Sequence, residues 1–111
     1  MSFPPDQVAE LKQLCGGVSQ CGEGGFTLLL LSGLRLPEGC SPSVTDALLC
    51  PTPRDGYQSR LFFAERIQTK NTLNWNGQVR IVERNWEAFS WKVNAEPRLI
   101  QMVAAQMRAF K

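Results

Sequence analysis

The chain has 111 residues, the length of one ordinary domain and too short for two domains with separate cores. Hydrophobic residues make up 43% of it and charged residues 20%, which is typical of a globular protein and not of a disordered one. The sequence contains no histidine and four cysteines. A Ser-His-Asp triad, a Cys-His nucleophile pair and a histidine-based zinc site are therefore excluded.

The net charge of +2 is distributed unevenly between the two halves. Residues 1–53 carry two basic and five acidic side chains, whereas residues 54–111 carry ten basic and five acidic ones. A polarised surface of this kind can attract an acidic partner or a phosphate backbone. We favour the simpler interpretation that the basic residues are spread over solvated strand faces, and no run of five like charges is present.

The sequence predicts a soluble, cytoplasmic protein that has no membrane contact. Its first residues have neither the basic region nor the early apolar stretch of a signal peptide. The most apolar segment, residues 26–31, is far shorter than the roughly 20 residues needed to span a bilayer. In the cytoplasm, the four cysteines are expected to be reduced thiols.

The first predicted element is a short amphipathic helix over residues 4–15. Pro4 and Pro5 suit its first turn, where a missing N–H costs nothing. Apolar residues follow at helical spacing, and the glycine pair at 16–17 predicts the end of the helix.

Three strands are predicted next. A glycine-rich link over residues 21–25, interpreted as a flexible turn, leads into a strand that begins at residue 26 and extends by alternation to Leu36. A second strand over residues 44–50 is stopped by Pro51. After a turn at residues 54–57, residues 60–64 form the third.

In the second half, the sequence predicts a polar loop over residues 68–77, which includes Asn71. Apolar and polar residues then alternate over residues 78–82. Residues 89–93 alternate again, although an irregular segment is equally consistent with them.

A C-terminal helix completes the predicted elements. It is capped by Asn94 or Ala95, with Pro97 in its first turn, and Arg108 and Lys111 favour its C-terminal end. The order of elements predicts one α+β domain over residues 1–111, in which this helix packs on the sheet.

The cysteines do not form a recognisable metal or catalytic motif. Cys15, Cys21, Cys40 and Cys50 are separated by 5, 18 and 9 residues, without the tight pair that structural zinc sites use. Cys15 and Cys50 occupy apolar positions and are predicted to lie in the core, whereas Cys21 and Cys40 lie in loops and are more exposed. No cation lies beside either exposed thiol in the sequence to lower its pKa. We predict no metal and no cofactor.

Two further patterns favour structural roles. The glycines between residues 16 and 25 lack the GK[ST] ending of a phosphate-binding loop and precede a strand instead of a helix. Trp75, Trp86 and Trp91 alternate with basic residues and could stack on single-stranded nucleic acid. The same tryptophans could equally anchor the final helix to the sheet, so nucleic acid is an unlikely partner.

The order of several short motifs resembles the ubiquitin-conjugating-enzyme-like (UBC-like) superfamily. A strand that ends in Cys50-Pro51, followed by Gly56-Tyr57 and another strand, is similar to the meander and Gly-Tyr-Pro turn of that family. The later segment Trp86-Glu-Ala-Phe-Ser90-Trp91 and the closing helix resemble a prokaryotic branch of it. The resemblance covers about residues 26–110. It implies an antiparallel β-meander flanked by an N-terminal and a C-terminal helix.

The chain departs from the family at the position that carries its chemistry. The resemblance places a catalytic cysteine between the fourth strand and the following helix, but residues 68–95 contain no cysteine. Gln58 also replaces the usual proline of the turn. The residues that carry over are those of the scaffold: Pro51, Gly56, Tyr57, Trp86, Ser90 and Trp91.

Three hypotheses follow from the sequence. The first is a UBC-like protein of a bacterial ubiquitin-like modification system. It would bind a ubiquitin-like protein, an activating enzyme or a target through its sheet and first helix, without the usual catalytic cysteine. Within this hypothesis, a relocated thiol, Cys50 or Cys40, could still act. The second is an unrelated α+β interaction module of a defence or toxin complex, and the third is a weak binder of single-stranded nucleic acid.

Overall fold

A computed structural model describes residues 3–54, 56–70 and 73–110, except for the side chain of residue 76. The predictions made for Asn71 and Lys111 lie outside the described residues. The elements in chain order are α1 Pro5–Leu11, β1 Gly17–Glu23, β2 Phe26–Arg35, β3 Val44–Cys50, β4 Arg60–Phe63, β5 Trp75–Ile81, β6 Arg84–Phe89 and α2 Leu99–Met107, followed by a 3-10 turn at Arg108–Phe110.

The strands form one antiparallel sheet in the order β1-β2-β3-β4-β6-β5. The first four strands are therefore neighbours in chain order. Among the described residues, β4 and β6 share one register pair, Phe63 and Glu87. The predicted α+β class is confirmed. One helix precedes the sheet in the chain and one follows it.

Both helices pack on the same face of the sheet, here called the helix face. Leu11 of α1 and Val103 of α2 are completely buried in one cluster with Leu31 and Phe63 of the strands. The part of this cluster next to Phe63 is aromatic. The ring centroids of Phe63 and Phe110 lie 5.4 Å apart, in a tilted arrangement. Pairs of this kind add about 1 kcal/mol to the free energy of burial. The prediction that the C-terminal helix packs on the sheet is confirmed.

The opposite face of the sheet, here called the second face, is covered by the β5–β6 hairpin. Its buried cluster combines Leu28, Leu48 and Phe62 of the meander with Ile81 and Trp86 of the hairpin. Although β5 and β6 are far from β1 in the sheet order, the turn between them meets Glu23 at the end of β1. The hairpin therefore folds back across this face.

The N-terminus of α2 is held by α1. The Gln7 side-chain oxygen accepts a hydrogen bond from the Leu99 backbone N–H at 3.0 Å, which satisfies one of the free donors of the first helical turn. Arg98 forms ion pairs with Asp6 at 3.0 Å and with Glu10 at 2.9 Å. These contacts join the two ends of the chain.

Some predicted boundaries differ from the observed ones. The predicted glycine-rich link at residues 21–25 includes the last three residues of a strand, because β1 pairs with β2 without interruption from Gly17 and Ser32 to Glu23 and Phe26. Only the glycines at 24 and 25 form the turn, with φ of 61° and 83°.

Other predicted boundaries also differ from the observed ones. α1 is shorter than predicted, and β5 begins inside the predicted loop. β6 lies earlier than the predicted alternation at 89–93, and α2 begins at Leu99, not at Asn94 or Ala95. Pro97 lies just before this helix and not in its first turn.

Candidate functional site

A hydrogen bond joins the turn at Gly56-Tyr57 to the segment from Trp86 to Trp91. The Tyr57 hydroxyl donates to Ser90 Oγ at 3.1 Å, across 33 positions of the chain. Tyr57 precedes β4 and Ser90 follows β6, so the bond ties together the entrance of one strand and the exit of its neighbour in the sheet. The sequence argument chose both residues as parts of the scaffold but did not predict that they touch.

The turn that presents Tyr57 is closed by two backbone hydrogen bonds. The N–H groups of Arg54 and Tyr57 each donate to the other residue's carbonyl at 2.9 Å. Gly56 has φ of 85°, a left-handed conformation that favours glycine. Asp55, the other residue predicted in this turn, lies outside the described residues.

Arg60 packs against one face of the Tyr57 ring. Its guanidinium lies 4.5 Å from the ring centroid, and its Nη2 donates to the Phe89 carbonyl at 3.1 Å. Arg60 is almost fully buried. A desolvated cation–π contact of this kind contributes on the order of 1–2 kcal/mol. Arg60 therefore orients Tyr57 and fixes the end of β6 at the same time.

Helix α2 is attached to the same region by two side-chain hydrogen bonds. Gln106 Nε2 donates to the Ser59 carbonyl at 2.9 Å, and Trp91 Nε1 donates to the Ala105 carbonyl at 3.0 Å. The sequence argument missed both Arg60 and Gln106. The only signal was a glutamine among the apolar residues of the final helix, whereas nothing distinguished Arg60 from other strand-terminal arginines.

An open polar cleft of about 380 Å³ lies beside this network. It is lined by residues of the Tyr57 turn and of the extended segment before α2: Gly56, Tyr57, Gln58, Lys92, Val93, Asn94 and Ala95. Lys92 and Asn94 are exposed and offer hydrogen-bond donors, whereas no cysteine lines the cleft. The cleft can therefore bind polar groups of a partner but offers no thiol nucleophile.

The other motif residues lie around this network without joining it in one site. Pro51 is half-buried just after β3. Trp86 is buried in the cluster of the second face, where its Nε1 donates to the Ile81 carbonyl at 3.3 Å. Trp91 is 38% exposed. Of the three tryptophans, Trp91 alone presents a large exposed surface, because Trp75 packs against the aromatic cluster of the helix face.

The two thiols considered for a relocated catalytic role are buried to different degrees. Cys50 is completely buried, and its thiol donates to the Thr52 carbonyl at 3.6 Å. Cys40 is half-buried against the helix-face cluster, where desolvation raises the pKa of its thiol. A thiol with a raised pKa has less of the nucleophilic thiolate form at neutral pH.

Neither of the remaining thiols, Cys15 and Cys21, has a lowered pKa. The prediction that Cys15 lies in the core is confirmed. Cys21 lies in β1 and is half-buried. Burial raises the pKa of both thiols, and Glu23 raises that of Cys21 further. All four cysteines are free thiols.

The chain matches no protein-family model, no curated protein and no solved structure. In the described ranges, no helix is long and apolar enough to cross a membrane.

Proposed function

We propose that this chain is a UBC-like domain of a bacterial ubiquitin-like modification system that binds a protein partner and does not itself carry a thioester. The partner would be a ubiquitin-like protein, an activating enzyme or a target. The observation that carries the proposal is the hydrogen bond between Tyr57 and Ser90. Two short motifs, each weak alone, are more specific when they meet in space.

The arrangement of the strands supports the same proposal. The first four strands are consecutive neighbours, with α1 before them and α2 after them, as the resemblance implies. The extended segment after β6 returns to the turn before β4, so the cleft beside Tyr57 combines residues from both motifs. We place the partner's polar contacts at this cleft. Contacts through the sheet and the first helix, which the resemblance also implies, would add to them.

The environment of the thiols supports a binding role over a catalytic one. A thioester-forming cysteine must be accessible and partly ionised. Cys50 is completely buried, and burial raises the pKa of Cys40. The segment in which the family carries its nucleophile has no cysteine at all.

A titration of the purified chain with a ubiquitin-like protein and, separately, with an activating enzyme tests the proposal. Lys92→Glu reverses a charge at the cleft, and we expect it to weaken binding at least tenfold. Lys70→Glu makes the same change at an exposed position outside this cleft and should alter the Kd by less than twofold. If neither protein binds the wild-type chain, and an unrelated partner is recovered instead, the alternative of an unrelated interaction module is favoured.

A further inference from the structure

The outer edge of β1 pairs with no strand of the described chain, because β1 is terminal in the sheet order. Backbone N–H and C=O groups along such an edge are a template for another strand. Proteins usually protect an edge with a charged residue, a proline or a bulge. Residues 17–22 carry no charge and no proline, and the register of β1 with β2 is unbroken.

The opposite edge of the sheet is protected within its strand, whereas the one charged residue of β1 is Glu23 at its end. β5 carries the exposed Arg80 and has an irregular register between Trp75 and Gly77. Both features oppose the addition of a regular strand. Of the two edges, β1 is therefore the less protected against the addition of a strand.

An apolar cleft of about 120 Å³ opens beside β1 on the second face. Its lining includes Ser19 and Cys21 of β1, and Val82 and Arg84 of the β5–β6 hairpin. Leu48 and Trp86 also line it. Ser19 is exposed, so the cleft is reached from the edge of β1.

We propose that β1 accepts an extended peptide segment of a partner protein as a seventh strand, and that one small aliphatic side chain of this segment enters the cleft. Side chains of a strand alternate between the two faces, so every second residue of the added strand would point towards the second face. Backbone hydrogen bonds to β1 would supply affinity and the cleft would supply specificity, as in other cases of strand addition.

The cleft favours a partner segment over a second copy of this chain. In an antiparallel pair of two β1 strands centred on Gln20, Cys21 of each copy would lie opposite Ser19 of the other. Neither side chain is the aliphatic group that the apolar lining suits. Because β1 is three positions away from β4 in the sheet, this site is distinct from the cleft beside Tyr57 and does not depend on the proposed function.

Selection from a displayed library of random octapeptides on the full-length chain tests the proposal. We expect enriched peptides with small aliphatic residues at alternate positions, and binding that is lost when alternate peptide amides are N-methylated. Ser19→Lys, at the mouth of the cleft, should weaken the Kd of a selected peptide at least tenfold. Gln20→Lys places the same charge on the other face of the same strand and should change the Kd by less than threefold.

Amide hydrogen exchange of the complex locates the peptide. Slower exchange in β1 on binding would support strand addition. Enriched peptides without the alternating pattern, no enrichment at all, or slower exchange only around Tyr57 would overturn it. A dimer in sedimentation that is disrupted by Ser19→Lys would instead assign the edge to a second copy, and would also overturn the proposal.

Discussion

The backbone N–H of Val82 donates a hydrogen bond to Glu23 Oε2 at 2.9 Å, which joins the turn of the β5–β6 hairpin to the end of β1. A second contact supports it, because Arg84 of the hairpin forms an ion pair with Asp46 of β3 at 3.1 Å. The other carboxylate oxygen of Asp46 accepts the Gly33 N–H at 2.9 Å. Two carboxylates from the meander therefore hold the hairpin over the second face.

The hairpin turn itself is strained. Val82 and Glu83 have φ of 50° and 62°, a region that a β-branched residue rarely adopts. Asn-Gly is the preferred sequence of this two-residue turn. The double variant Val82→Asn with Glu83→Gly should therefore raise the free energy of unfolding by about 1–2 kcal/mol, measured by urea denaturation.

The control for this variant is Val44→Asn, which changes an exposed valine in an ordinary strand conformation. It should not stabilise the protein. An equal gain from both variants would mean that the removal of exposed apolar surface, and not the relief of backbone strain, is the cause.

Tyr57→Phe removes the hydroxyl that joins the two motifs and keeps the ring that packs against Arg60. We expect a loss of about 1 kcal/mol in the free energy of unfolding, the usual contribution of one such hydrogen bond. Gln58→Ala, at the exposed neighbouring position, should stay within about 0.5 kcal/mol of the wild type. A Tyr57→Phe protein as stable as the wild type would show that the bond does not hold the two segments together.

Glu87 makes stability depend on pH in the acidic range. Hydrogen bonds from Gln78 at 2.8 Å and from Arg66 at 3.0 Å hold the pKa of its carboxyl below the ordinary value of 4.5. Because folding lowers this pKa, the stabilisation is fully present above pH 4.5 and is lost as the pH falls through the lowered pKa. Glu87→Gln should therefore flatten the fall of the unfolding free energy with acidification.

Denaturation curves at a series of pH values below about 5 measure this effect. Glu65→Gln removes a carboxylate at an exposed position nearby and should leave a larger part of the pH dependence in place. Equal flattening by both substitutions would mean that the general loss of negative charge, and not the contacts of Glu87, sets the dependence.

The four thiols should react with iodoacetamide in two classes. Cys21 and Cys40 are half-buried and should be alkylated in the native protein, faster as the pH rises towards their raised pKa values. Cys15 and Cys50 are buried and should react only as the protein unfolds. Peptide mass spectrometry resolves the four sites. Native alkylation of Cys50 at the rate of Cys21 would contradict its burial and would revive it as a candidate nucleophile.

The parts of the fold that the sequence predicted are those where local pattern and burial agree. The strand at residues 44–50 ends in an apolar run over residues 47–50 and is bounded by proline, and its predicted ends match β3. β1 was missed because glycine and polar residues have low strand propensity. It forms because β2 offers a complete antiparallel partner, which is a tertiary effect that no local window contains.

The site was only partly predictable for the same reason. Tyr57 and Ser90 were chosen from motif resemblance. Their contact requires β4 and β6 to be neighbours in the sheet although β5 lies between them in the chain. Arg60 and Gln106 were missed because a buried polar side chain is identified by its partners, and those partners lie 29 and 47 positions away in the chain.

The most direct test of the proposed binding role is the intact mass of the chain after incubation with an activating enzyme, ATP and a ubiquitin-like protein, measured without reducing agent. We predict a complex that is detectable by size-exclusion chromatography, while the mass of the chain stays unchanged. A thiol-sensitive adduct that disappears in Cys50→Ser or Cys40→Ser would contradict the non-catalytic role.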